Sequence, residues 1–329
     1  MSLLSIHYST PTFIHFVFGH ILCSSGIIIN AIVIGFTFKK SNMNDNMEQR
    51  FITRANSFIN LYSTLICLIV HPQIEIIQNK ILFRCYGFGG NVKNDGGRLF
   101  LVGIFIFSYV MILSSVSVGL LFRYNILCKR ILLSKSKLIR FYFICFGYSI
   151  CSSILYSSNF SPNVPMNFRT EADLNESIWK YEEPPFWDHV LINRENNILL
   201  LLSLILYVSL TISSYTIITY FVVKMKKLMR NNKNIFSTKT IILQKQLNTI
   251  LNVQSITPII VILLPILFGI ILILSKVRAN GFALFIILGL ESVPFFNGLS
   301  VIILTKEYRI GRKCTKITIK KTISKIFVM

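Results

Sequence analysis

Residues 282–304 read FALFIILGLESVPFFNGLSVIIL, and this apolar stretch contains a single charged residue, Glu291. The hydrocarbon core of a bilayer is about 30 Å thick, and about 20 apolar residues in an α-helix are needed to cross it. Because no water is available there, every backbone N–H and C=O group must find a partner within the segment, as it does in a helix. The stretch is therefore predicted to be a membrane-spanning helix.

Six further apolar segments have the same character. The chain of 329 residues is 53% hydrophobic and only 14% charged, which is too few charged residues for a soluble protein of this size. Strands of a membrane barrel would alternate in polarity over about 10 residues, and these segments do not. The predicted fold is an all-α seven-transmembrane helix bundle within residues 1–310, followed by a basic tail at 311–329. The predicted spans are residues 13–38, 57–77, 99–121, 138–156, 198–223, 251–274 and 282–304.

Basic residues are distributed unequally between the two sides of this bundle. Of the 34 Lys and Arg residues, 25 lie in or beside the segments that follow spans one, three, five and seven, and 9 lie on the other side. An excess of Lys and Arg marks cytoplasmic loops, so the N-terminus is predicted to be outside and the C-terminus cytoplasmic. Contact with the anionic membrane lipids of the inner leaflet accounts for the net charge of +21 without a nucleic acid partner.

Three ionisable residues within the predicted spans are candidates for function. Glu291 lies near the middle of span seven, and Glu75 and His71 lie near the outer end of span two. Ionisable groups inside a membrane are energetically costly and usually functional. Glu291 is either protonated and hydrogen-bonded to a neighbouring helix, or functional through contact with a ligand or a bias on helix packing. His71 is more often a polar residue near the interface than a ligand contact. Glu75 and Glu291 are the candidates for a ligand pocket.

The longest connecting segment, residues 157–197, carries 7 of the 13 acidic residues and two N-glycosylation sequons, at Asn159 and Asn175. Pro162 follows the first sequon and makes Asn159 the poorer glycosylation candidate. The segment also contains a cluster of aromatic residues, which favour the membrane interface. It is either a solvated loop resting on that interface or a lid over a ligand pocket.

Three prolines within the predicted spans are candidates for helix hinges. Pro258 and Pro265 lie in span six, and Pro294 lies in span seven. Each proline removes one helical hydrogen bond and disturbs the preceding turn. Pro258 and Pro265 are seven residues apart and share nearly one face, so both bends point the same way and predict a hinge. The alternative is that prolines are simply better tolerated in membrane helices.

The residue types needed for catalysis are not found in a recognisable arrangement. The sequence contains no nucleophile–base–acid set, no Gly-rich phosphate loop and no cysteine spacing typical of a metal site. We therefore predict that the protein is not an enzyme and that it has no cofactor and no metal site. Cys314, in the basic tail, is a lipidation candidate.

Four short motifs resemble those of nematode serpentine chemoreceptors of the Str superfamily. Phe122-Arg123-Tyr124 resembles the Tyr-Arg-Tyr that ends span three in that family, and Lys306-Glu-Tyr-Arg309 resembles its Lys-Asp-Tyr-Arg after span seven. Asn30 matches a recurrent Asn in span one. The run into span six is similar to that of the family at Gln246, Leu247, Leu251, Gln254, Pro258 and Pro265.

The resemblance implies a G-protein-coupled chemosensory receptor for olfaction or a related form of sensory perception. Such a receptor lies in the plasma membrane of sensory cells, binds a small-molecule ligand outside and signals to a heterotrimeric G protein inside. On composition alone, Arg123 is a basic residue that snorkels at the membrane boundary. The resemblance instead makes a set of inner-end residues candidates for G-protein coupling, namely Arg123, Tyr124, Lys224, Lys226 and Lys227.

The chain departs from the family pattern in span seven. The family often has an acidic residue directly before the span-seven proline, where this chain has Val293. Glu291 is a candidate for the same role. A membrane transporter or ligand-gated channel is the alternative function, and inverted repeats or paired intramembrane charges would favour it. Neither is found in the sequence, and a non-signalling accessory protein is a third hypothesis.

The predicted orientation can be tested with epitope tags. We expect antibody to reach a tag after Met329 only in permeabilised cells, because the basic segments should face the cytoplasm. A tag before Met1 should be labelled on intact cells. Labelling of the C-terminal tag on intact cells would show that the orientation is wrong.

Overall fold

Five long helices form the part of the bundle that the structure, a computed structural model, describes. It describes residues 10–38, 47–77, 80–92, 94–126, 133–161, 190–193 and 281–304, together with single positions between 202 and 275. The predicted site residues Pro258, Pro265, Lys226, Asn175 and Cys314 lie outside the described residues. The helices are α1 (Thr10–Phe38), α2 (Met47–Val70), α3 (Asp95–Tyr124), α4 (Lys135–Ser157) and α5 (Phe282–Leu304), of which α5 is the predicted seventh span.

Four of these helices, α1, α3, α4 and α5, are long and apolar enough to cross a membrane. Their exposed faces carry large apolar side chains, such as Phe18 and Ile28 on α1 and Phe143 and Ile154 on α4. An apolar surface of this extent is typical of a lipid contact rather than of a water-facing surface. The arrangement agrees with the predicted all-α membrane bundle.

The second helix ends earlier than the sequence predicts, and this corrects the span placed at 57–77. Helix α2 ends at Val70, and the chain leaves it at His71, whose φ of 37° lies in the left-handed region. The following residue is Pro72, and a proline disfavours the helical conformation of the residue before it. Residues 72–77 consequently form a strand, so Glu75 lies in a β-hairpin and not in a helix.

A small antiparallel sheet closes the end of the bundle where α1 begins. It contains β1 (Pro72–Ile77), β2 (Lys80–Cys85), β3 (Phe160–Ser161) and β4 (Val190–Asn193), in the order β1-β2-β4-β3. We call these four strands the sheet cap. A 3-10 helix (Phe88–Asn91) leads from the hairpin to α3. Because β3 and β4 come from residues 157–197, these two parts of the segment are paired within the sheet cap.

One face of the sheet cap belongs to the main hydrophobic core. Phe83 is fully buried, and its ring centroid lies 6.2 Å from that of Phe105 on α3 and 5.9 Å from that of Phe160 on β3. Leu191 on β4 is buried in the same cluster. The chain also returns closely to α2, since a Cβ on Gly87 would lie 2.5 Å from the carbonyl oxygen of Ile69. The sheet cap is therefore anchored on the helix ends.

Deeper in the bundle, asparagine side chains join α1 and α2 to α5. The Asn30 amide donates to the carbonyl oxygens of Gly26, at 2.8 Å, and of Pro294, at 3.1 Å. Asn297 on α5 donates to the side-chain oxygen of Asn60 on α2 at 3.4 Å. Hydrogen bonds of this kind hold membrane helices together where apolar contact with lipid would be equally favourable.

The packing of the sheet cap on α3 can be tested by Phe83→Ala. Truncation of a fully buried phenylalanine typically costs about 3–5 kcal/mol, because apolar burial is lost and a cavity remains. We expect a lower midpoint of thermal unfolding for the purified protein. The matched control is Phe88→Ala, at a side chain that is 84% exposed. Equal effects of the two substitutions would contradict the described core.

Candidate functional site

Three polar side chains from three parts of the chain meet near the sheet end of the bundle. His15 comes from α1, His71 from the turn after α2, and Glu291 from α5. The carboxylate is close to both rings, with Oε2 3.8 Å from His15 Nε2 and Oε1 3.8 Å from His71 Nδ1. All three side chains are buried, with exposed fractions of 2% for His15 and 0% for the other two. We call them the His–Glu cluster.

The polar atoms of the His–Glu cluster are close to one another but not hydrogen-bonded. Neither ring nitrogen of His15 or His71 and neither carboxylate oxygen of Glu291 bonds to any part of the chain that the structure describes. A separation of 3.8 Å is also beyond hydrogen-bond range. Leaving a buried polar group unsatisfied typically costs about 1–3 kcal/mol. This arrangement is therefore suited to a group that completes the missing bonds.

Gly19 allows α1 to approach this cluster. A Cβ atom at that position would lie 2.5 Å from Glu291 Oε2 and 2.8 Å from His71 Cε1, which is closer than real contacts allow. Gly19 is one turn after His15, so both positions lie on the same face of α1. The His15 ring and the small residue Gly19, which leaves room for Glu291 and His71, therefore lie on one face of α1.

Aromatic rings surround the cluster on the side toward the sheet cap. The His71 ring lies with its centroid 4.7 Å from those of His15 and His20, 5.6 Å from that of Phe16 and 6.2 Å from that of Tyr86. Phe16, His20 and Tyr86 are only partly buried. These partly exposed rings lie next to the buried His71 ring.

On the opposite side, the cluster faces a polar layer of α2 and α3. Cys67 and Tyr109 are in hydrogen-bond contact, with Sγ and Oη 3.0 Å apart. Ser63 donates to Ser108 at 3.2 Å in the next layer. The described part of the chain contains no group of three or more His, Cys, Asp or Glu side chains placed to hold a metal ion.

Glu75, the other candidate for the ligand pocket, lies on β1 and is also buried. Its direct partner across the hairpin is Leu82, and Gln73 is paired with Arg84. Because side chains alternate along strands, these four share the face of the sheet opposite to Phe83. Glu75 and Glu291 therefore belong to different elements, and only Glu291 belongs to the His–Glu cluster.

Two of the three cluster residues, His71 and Glu291, are candidates from the sequence alone, whereas His15 is not among those candidates. The rule that ionisable residues inside a span indicate function applies to His15 and His20 as well, since both lie within the predicted first span. That signal was present in the sequence. The role of Gly19 had no local signal, because it depends on a contact with α5.

The first glycosylation candidate, Asn159, is in a poor position to accept a glycan. Its side chain is 3% exposed, and its amide nitrogen donates to the carbonyl oxygens of Leu155 and Tyr156. That nitrogen is the atom to which a sugar would be attached. The geometry therefore favours the other sequon.

At the opposite end of the bundle, Tyr124 and Lys224 each contact an aromatic residue at the end of the fifth predicted span. The rings of Tyr124 and Phe221 are stacked with centroids 4.5 Å apart, and Lys224 donates to the Tyr220 hydroxyl at 2.7 Å. Hydrogen bonds to the Tyr220 and Tyr124 hydroxyls raise the pKa of Lys224. Lys227, in the same segment as Lys224, is exposed. Arg123 belongs to α3, and the side chain of Arg123 lies outside the part of the chain that the structure describes.

The close approach of α1 to Glu291 and His71 at Gly19 can be tested by Gly19→Ala. The added methyl group should push against Glu291 and His71, and such overpacking typically costs about 1–3 kcal/mol. We expect a lower midpoint of thermal unfolding for this variant. Gly35→Ala on the same helix is the matched control, because a Cβ there meets nothing within 4 Å. A fall with Gly35→Ala as large as that with Gly19→Ala would contradict the described approach of α1.

Comparison with known proteins identifies the fold and the family. The chain is similar to squid rhodopsin, known from a crystal structure, with a TM-score of 0.56 at 12% sequence identity; the match covers 92% of this chain and 84% of that one. This likeness shows a shared seven-helix fold. No curated protein matches the sequence. The family model described as "Serpentine type 7TM GPCR chemoreceptor Str" matches residues 15–312. The chain therefore belongs to the Str family of serpentine seven-transmembrane chemoreceptors.

Proposed function

We propose that the protein is a G-protein-coupled chemosensory receptor of the plasma membrane of sensory cells. It binds a small extracellular molecule and signals to a heterotrimeric G protein in the cytoplasm. The observation that carries this proposal is the buried His–Glu cluster, which lies beneath the sheet cap of a chain from a chemoreceptor family. With the predicted orientation, the cluster is at the outer end of the bundle.

The position of the cluster supports a receptor mechanism based on two conformations. A ligand shifts such an equilibrium only if it binds one conformation better than the other. The cluster joins α1, the end of α2 and α5, so a ligand that completes its hydrogen bonds stabilises one relative placement of these elements. Glu291 is three residues from Pro294, whose carbonyl oxygen accepts from Asn30. The ligand site and the α1–α5 contact are thus adjacent.

The opposite end of the bundle carries the proposed contact with the G protein. Tyr124 at the end of α3 and Lys224 after the fifth predicted span lie close together, and Lys227 is exposed. A basic surface of this kind can attract acidic groups of a cytoplasmic partner. The prolines of the sixth span would let its inner end swing relative to this surface. The residues proposed for these roles are Arg123, Tyr124, Lys224, Lys226 and Lys227 for coupling, and Pro258 and Pro265 for the hinge.

The proposed coupling role is tested by Arg123→Ala in cells that express reporter G proteins and respond to a ligand found by screening odorants. Loss of a charged hydrogen-bonding partner typically costs about 1.5–3 kcal/mol, so we expect the response to weaken at least about tenfold at unchanged surface expression. Arg140→Ala, at an exposed residue of α4, is the matched control and should respond normally. An unchanged response of Arg123→Ala would remove Arg123 from the coupling surface.

A further inference from the structure

We propose that the His–Glu cluster binds the head group of a small primary amine, with Glu291 as its counter-ion and His15 and His71 as hydrogen-bond acceptors. This inference deepens the proposed function, because it names the ligand class of the same site. It rests on three buried side chains that converge from α1, the turn after α2 and α5, and whose polar atoms have no hydrogen-bond partner among the described residues. Binding can be measured without any G protein.

A primary amine matches the charge of the His–Glu cluster. An isolated ionised carboxylate in a buried site is very costly, and Glu291 has no fixed positive partner within the cluster. The empty cluster is therefore expected to be neutral, with one proton on the carboxyl group. An uncharged amine can accept that proton through its nitrogen lone pair, so that one O–H bond breaks and one N–H bond forms. The products are a carboxylate and an ammonium ion in contact, and the site remains neutral overall.

A primary ammonium also matches the number of hydrogen-bond acceptors in the cluster. A primary ammonium has three N–H donors and no acceptor, as in lysine. The cluster can offer three acceptors, one from the carboxylate and one from each neutral imidazole. The nitrogens facing the carboxylate are His15 Nε2 and His71 Nδ1. An alcohol has one donor and a quaternary ammonium has none, so neither can use all three acceptors.

The size of the site and the aromatic rings beside it also suit a primary amine. A bulky head group would not fit, because Gly19 already brings α1 close to Glu291 and His71. A head group of one heavy atom makes the smallest demand on such a site. The partly exposed rings of Phe16, His20 and Tyr86 suit contact with an apolar tail, and aromatic faces attract cations.

Other titratable groups face the cluster but do not supply a counter-charge for an anion. His20 packs against the His71 ring, and Cys23, Cys67 and Tyr109 lie on the deeper side. Arg84 stands beyond Tyr86, with its guanidinium 5.2 Å from the centroid of that ring. The nearest acceptor group for a bound ammonium remains Glu291.

This scheme has a defined pH dependence. Alkylamines in water are protonated below about pH 10.4, as lysine is. Binding of the cation to a protonated cluster must then release one proton, because the complex holds one fewer proton than the separate partners. The apparent Kd should fall about tenfold for each unit of rising pH between about 6 and 8.

The test uses the purified full-length receptor in lipid nanodiscs and a series of straight-chain primary amines from n-propylamine to n-hexylamine. We expect at least one amine to raise the midpoint of thermal unfolding with the stated pH dependence. The matched alcohols and N-trimethyl derivatives should act at least about tenfold more weakly. Glu291→Gln should weaken amine binding at least about tenfold, because the amide has no proton to transfer. Glu75→Gln, at the other buried glutamate, should retain it.

Several outcomes would overturn the inference: no amine of the series binds, alcohols bind as well as amines, or Glu291→Gln binds normally. If Glu291→Gln fails to fold, His15→Phe preserves a ring of similar size and should weaken binding about tenfold or more, the effect of one lost hydrogen bond to a charged group. Amine binding without G-protein activation would leave the inference intact and contradict the proposed function. Activation of the receptor by a ligand that is not an amine would support the proposed function and contradict this inference.

Discussion

The arrangement of the helices depends on how polar groups are accommodated in an apolar interior. Lipid is as apolar as leucine, so apolar side chains alone give little preference for one packing of helices over another. Polar side chains do give such a preference, because a buried donor or acceptor without a partner is costly. The bonds of Asn30 to α5 and of Asn297 to α2 set the register in which these three helices meet.

The same rule makes the His–Glu cluster exceptional. Toward the other end of the bundle, the asparagines bond across helices, and Tyr142 donates to Asn56 at 2.8 Å. At the sheet end, His15, His71 and Glu291 converge without bonding to one another. Within the described part of the chain, six side-chain atoms without a hydrogen-bond partner are thus concentrated in this one cluster. A free-energy deficit at that place is one that a bound molecule can relieve.

The sequence predicted the helices better than it predicted their contacts. The spans could be found because a membrane helix satisfies its backbone locally, and Glu291 could be found because a charge there is costly. The strand at Pro72–Ile77 was read as the end of a helix, since its residues continue the apolar run, although Pro72 itself was a signal for the break. The pairing of β2 with β4 joins residues more than 100 positions apart, for which no local pattern exists.

Helix α5 links these observations, because the cluster and the asparagine contacts lie on the same rod. Glu291, Pro294 and Asn297 recur every three residues, so they follow one side of the helix over about 9 Å at 1.5 Å per residue. Pro294 removes the helical bond to the Leu290 carbonyl and is the point at which this rod bends most easily. A ligand that draws Glu291 toward His15 and His71 must therefore move the residues before Pro294 relative to those after it. The residues after it are held by Asn60, and Pro294 itself is held by Asn30. A change in the protonation or contacts of Glu291 consequently acts on the helix at its weakest turn.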